Sequence, residues 1–170
     1  MGTIRPFSSL LDLLNEMRAM IERVDDESYS APARGRNAGG VGGHVRHCLD
    51  HISALIAATQ TGLCAYDRRK RGTAIETCRA TALRCILDLE ADVLRLDYRL
   101  LEVPVDVETH VDTDGSFLVT TSTIGRELVF VISHTIHHNA LIAHLLEERE
   151  IDIGARFGLA PATPIAVCAQ

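Results

Sequence analysis

Apolar residues recur at helical spacing from Phe7 to Val24, where Leu10, Leu13 or Leu14, Met17, Ile21 and Val24 fall on one face. A polar stretch follows from Asp25 to about Gly39, and Pro32, Gly35 and Gly40 mark it as a loop. The helical period resumes at Val41 and predicts a second helix that stops before Gly62, a residue suited to a C-terminal cap. A polar connection from Cys64 to Gly72 leads to a third apolar stripe, made by Ile75, Ala82, Ile86, Leu89, Val93 and Leu96. Thr73 and Glu76 have the spacing of a capping box at its start. The period then changes to two. Val103, Val105, Val107, Thr109 and Val111 alternate, Asp112 to Gly115 reads as a turn, and Phe117 to Thr121 is β-rich, so this segment predicts a β-hairpin. A fourth helix runs from a cap at Ser122 or Thr123 to Glu148. The tail, Ile151 to Gln170, is punctuated by Gly154, Gly158, Pro161 and Pro164 and predicts irregular chain, wrapping the bundle or contacting a partner.

Four amphipathic helices of this length predict an all-α four-helix bundle, with a small β-hairpin between helices three and four. The bundle takes residues 1–150, and 151–170 form an irregular tail on the same domain; a chain of 170 residues is long enough to bury a core. The formal net charge of −6, with signs mixed along the chain, argues against a nucleic-acid partner. The basic run Arg68-Arg69-Lys70-Arg71 reads as a solvated loop. No signal peptide or myristoylation pattern opens the chain, and no apolar run approaches a membrane span, so the expectation is a cytoplasmic protein with no membrane partner. Five cysteines, an odd number with no C-x-x-C pair, suit a reducing compartment, most of them as small buried apolar residues. The glycines 39, 40, 42 and 43 open the second helix; tight turning beside the bundle is the preferred reading over an anion site.

Two segments concentrate the histidines. His134 and His138 are four residues apart, so on a helix they stack on one face and can reach one cation. His44, His47 and His51 fall within a sector of roughly 60° at about 100° per residue. Bringing these faces together in a bundle gathers three imidazoles around one point. By spacing alone His44, His47 and His51 all qualify as the second helix's ligand, and His137 is an alternative partner for His134. Each buried neutral imidazole needs partners for both nitrogens, which a metal supplies for one of them.

The segment from Val41 to His51, Val-Gly-Gly-His-Val-Arg-His-Cys-Leu-Asp-His, resembles the second-helix motif of the DinB/YfiT-like metalloenzymes. Ile132 to Asn139, Ile-Ser-His-Thr-Ile-His-His-Asn, resembles the fourth-helix motif of the same family. The resemblance covers Phe7 to Glu148. It implies a four-helix bundle of up-down-down-up topology and a divalent ion, nickel, zinc or iron, held by His47, His134 and His138. Histidines at 44, 51 and 137, and the long hairpin, depart from that pattern.

Three protein ligands leave coordination positions open for water, substrate or a thiol. Two classes of function follow. One is a metal-dependent enzyme, a hydrolase or thiol transferase acting on a small molecule. The other is a non-catalytic metal-binding or stress-associated protein; a fourth histidine closing the shell favours it. A homodimer is expected in either case, since bundles often bury leftover apolar faces against a second copy. Glu127, seven residues before His134, is the candidate general base, against the reading of a first-turn carboxylate favoured by the helix dipole. Asp50 is placed to orient an imidazole, and Arg46 and Arg126 to bind an anionic group or to form salt bridges.

Overall fold

The computed structural model describes residues 7–32 and 39–164. The N-terminal segment Met1 to Pro6, the middle of the first loop, Cys168 and the end of the tail lie outside the described residues. Four long helices form the core: α1 (Ser8–Arg23), α3 (Val41–Thr61), α4 (Arg79–Val93) and α5 (Ile124–Glu147). Both α1 and α3 pack against α4 and α5, so the helices close in the ring order α1, α4, α3, α5. Their apolar stripes meet inside, with Leu14, Met17, Leu49, Ile52, Ile86, Ile124 and Ile142 fully buried. Removing such stripes from water is the main favourable term in assembling the bundle.

The architecture is more than four helices. A fifth, α2 (Asp26–Ser30), lies in the stretch expected to be loop. Asp25 caps it, accepting from the Ser28 amide at 2.7 Å. The third predicted helix is interrupted. Residues Ala74–Glu76 form a 3-10 turn, and α4 begins only at Arg79. The capping box does not form, because the Thr73 side chain makes no cap hydrogen bond and Glu76 accepts from Gly72 N and from Arg46 instead. At α5 the cap is Thr123, accepting from the Arg126 amide. Gly62 ends α3 in the left-handed region, at φ +72°.

The hairpin is part of a three-stranded sheet. β1 (Leu63–Ala65), which overlaps the start of the segment expected to be a polar connection, pairs parallel with β2 (Pro104–His110), which pairs antiparallel with β3 (Phe117–Thr123). Cys64, Val105 and Val107 turn inward onto the bundle. Cys48 and Cys64 are buried as expected, whereas Cys78 is exposed. By length and composition α5 is apolar enough to cross a membrane, against the expectation that no segment approaches this. In this fold it is a wall of the bundle, with Glu127, Thr135 and Asn139 buried among protein neighbours.

Gly42 shows why glycines open α3. A Cβ there would lie 2.1 Å from the Glu76 carbonyl oxygen and 2.9 Å from the Tyr29 ring. The first turn of α3 is thus pressed against the 74–76 turn, which fixes where the histidine-bearing face points.

Candidate metal centre

The facing sides of α3 and α5 bring five imidazoles together. His47 Nε2 lies 2.8 Å from His134 Nε2, and His44 Nδ1 lies 2.8 Å from His138 Nδ1. The His51 ring is centred 4.3 Å from that of His47 and 4.4 Å from that of His134. The His138 ring sits at 4.4 Å and 4.6 Å from the same two. His47 and His134 therefore form a central pair flanked by His51 on one side and His138 on the other. One nitrogen from each of His47, His51 and His134 lies within 4.8 Å of the other two, a group able to hold a metal ion. Helical spacing on α3 produces this: His44, His47 and His51 share one face, and that face meets α5.

The cluster's electrostatics suit a cation. Burial, reinforced by neighbouring imidazoles, depresses His47 to about 2 and His138 to about 3. His51 is lowered to about 4, chiefly by burial. His44 and His134 also move down, again chiefly through burial. These rings are neutral at pH 7, the state in which imidazole ligates. His51 Nδ1 faces the His47 carbonyl oxygen at 2.9 Å. Donating there fixes the tautomer and leaves Nε2 with a free lone pair.

Tyr66 stacks on His51 with ring centroids 5.0 Å apart, and Phe130 stacks on His134 at 5.4 Å. Glu127 lies behind this aromatic wall. It is 2 % exposed and accepts from Tyr66 Oη at 2.9 Å, Ser122 Oγ at 2.7 Å and Arg126 Nη1 at 3.1 Å. Among the described residues no hydrogen bond joins Glu127 to a histidine; it acts on the cluster through Tyr66. Asp50 accepts from Arg46 rather than from an imidazole, and Arg46 also donates to Glu76, so this guanidinium is held in an inter-element salt bridge. Arg126 lies over the Phe130 ring. His137 is on the exposed side of α5.

The other side of the cluster is open. A cavity of about 530 Å³ is lined by His44, His47 and His138 together with Arg46, Arg69 and Arg71. Sequence reasoning missed Tyr66 and Arg69. A lone tyrosine in a connector carries no periodic signal, and Arg69 is hidden in a charge run. It also missed Thr135 and Asn139, polar residues fully buried on α5 beside the histidine face.

No protein-family profile matches the chain. Over 99 residues it is 30% identical to FK506-binding protein 5 of Rhizopus delemar, a match spanning 58% of this chain but 26% of that protein. The crystal structure of a DinB-like protein from Bacillus subtilis superposes with a TM-score of 0.64 at 16% identity, covering 88% of this chain and 94% of that one. A mostly helical core, a β-hairpin and three convergent histidines accompany that match, and the fold of this chain is DinB-like.

Proposed function

We propose that the chain is a divalent-metal-dependent enzyme acting on a small molecule, with His47 and His134 as the central ligand pair. The observation that carries this is the 2.8 Å approach of two neutral imidazole nitrogens from helices α3 and α5, with a third nitrogen close by. The donor set fits a borderline ion such as zinc, nickel or iron(II). Two triads share the central pair. Nitrogen convergence adds His51, whereas helical spacing and the family resemblance add His138. A divalent ion in such a site supplies Lewis acidity, lowering the pKa of a water or thiol that enters it. The chain's own groups do the rest. Tyr66 and Phe130 close the deep side against water, Glu127 holds Tyr66 in place, and the cavity beside His138 admits the substrate. Hydrolysis and thiol transfer are both compatible with this arrangement. The four long helices read as the up-down-down-up bundle of the resemblance, with α2 and β1 added to it; their ring order supports that reading.

A second reading has one specific observation in its favour. The central pair of His47 and His134 has His51 on one side and His138 on the other, and a shell closed by both would bind metal without catalysis. Metal content and coordination number separate the two. Tag-free protein purified without added metal is expected to carry about one divalent ion per chain, and His47→Ala and His134→Ala to abolish it. Of His51→Ala and His138→Ala, the variant that loses metal identifies the third ligand; loss in both, with four nitrogen scatterers by X-ray absorption, selects the closed shell. Wild-type protein that takes up no zinc, nickel, cobalt or iron refutes both readings.

A further inference from the structure

The chain carries a net charge of −6, yet the cavity over the histidines gathers three guanidiniums. Arg46 is committed to Asp50 and Glu76. Arg69 and Arg71 differ. Among the described residues neither has a carboxylate within salt-bridge distance, and the polar contact of Arg69 is a donation from Nη1 to the Tyr66 carbonyl at 3.3 Å. Arg68, one residue earlier, makes a two-pronged pair with Glu108 at 2.7 and 2.6 Å on the outer side. The basic run therefore splits. Arg68 is paired and largely exposed, and Arg69 turns half-buried towards the histidines. Burial and the neighbouring charges of Arg46 and Arg71 push Arg69 below its ordinary value, against a partial offset from Asp67 and Asp50, and its own charge contributes to the depression of His47, His51 and His134. With no carboxylate in salt-bridge contact, this half-buried guanidinium is left with hydrogen-bonding capacity that an anion in the cavity would complete. A planar guanidinium matches a carboxylate or phosphate through two parallel hydrogen bonds.

We propose that Arg69, assisted by Arg71, is a specificity-determining residue that binds a carboxylate or phosphate group of the substrate in the cavity beside His44 and His138. This rests on the reading of the histidine cluster as the reactive site, since it places the substrate's anionic end on Arg69 and its reacting end at the imidazoles. The anion would neutralise the excess positive charge that Arg69 and Arg71 bring to the cavity. It would also leave Arg46 in its structural pairs.

The test is calorimetric titration of metal-free and cobalt-loaded protein with two probes, acetate and methyl phosphate, metal content being measured on the same samples. Wild-type protein is expected to bind at least one probe in both metal states, and the stronger of the two names the anionic group. Arg69→Gln should weaken that binding about tenfold or more, as expected for losing charge-assisted hydrogen bonds. Arg69→Lys should recover part of it, and Arg95→Gln, on an exposed arginine of the α4 end, should change nothing. Thermal unfolding of Arg69→Gln at the wild-type temperature shows that the fold is intact. Equal affinity in Arg69→Gln and wild type, binding that vanishes on metal removal, or no binding of either probe to wild type overturns the proposal. Arginine-dependent binding in a chain that takes up no cobalt would keep this inference while refuting the metal reading.

Discussion

Replacing Tyr66 by phenylalanine isolates the link between Glu127 and the histidines. The ring stays, so its stacking on His51 at 5.0 Å stays with it. What goes is a hydrogen bond of 2.9 Å from a nearly buried hydroxyl to a carboxylate that is 2 % exposed, together with the hydroxyl's weaker contact with the Cys64 thiol. A hydrogen bond to a charged group contributes about 1.5–3 kcal/mol. Ser122 and Arg126 both donate to Glu127 Oε1, so the change leaves the buried Oε2 without its donor and the upper half of that range applies, about 2–3 kcal/mol. For a domain of this size that corresponds to a fall in Tm of roughly 4–12 °C. The assay is urea unfolding of Tyr66→Phe, Glu127→Gln and the double variant. The pair should couple by about 1 kcal/mol or more, because each single change removes the same charge-assisted hydrogen bond. Metal affinity of Tyr66→Phe should stay within a few-fold of wild type, while Tyr66→Ala, which removes the ring behind His51, should weaken it about 10- to 100-fold. Strict additivity of the two substitutions would refute the link. Metal affinity unchanged in Tyr66→Ala would refute the aromatic wall as a support for the ligands.

Metal-free protein should lose stability in acid through its histidines. His47, His51 and His138 are depressed in the fold from an ordinary 6.5, so between 6.5 and their lowered values the unfolded chain binds more protons. Their contribution is full above about pH 6.5 and is lost as pH falls towards 4 and below; the urea midpoint should drop across that window, and His51→Gln should flatten the drop, whereas an identical pH profile in the variant would contradict the burial argument. Gly42→Ala should destabilise despite the helical setting. Overpacking a Cβ 2.1 Å from the Glu76 carbonyl oxygen costs about 3 kcal/mol, against a propensity gain of about 1 kcal/mol, and an unchanged urea midpoint would show that the α3 start is not pressed on the 74–76 turn.

How much of this was legible in the sequence depends on the range of the interaction. Helical period is a local property, and it placed α1, α3 and α5 and the shared faces of His44, His47 and His51 and of His134 and His138. The sequence reading named His138 beside His47 and His134, but spacing alone does not single it out, because His51 also lies on a face that meets the cluster and converges with the central pair. The capping box failed because Glu76 has a competing partner, Arg46, thirty residues earlier in the chain. Non-local pairing explains the largest miss. Residues 64–72 look like a polar connector until β1 finds β2, some forty residues downstream, and joins the sheet. That pairing buries Cys64 and Tyr66 and anchors the chain that follows. Within four residues it delivers Tyr66 to His51, Arg68 to Glu108 and Arg69 to the cavity. The histidines come from two helices, but the connector is the third wall of the site. It carries the aromatic support at one end and Arg69 at the other. Disrupting the β1–β2 register would therefore disturb the ligand geometry and the proposed anion site together.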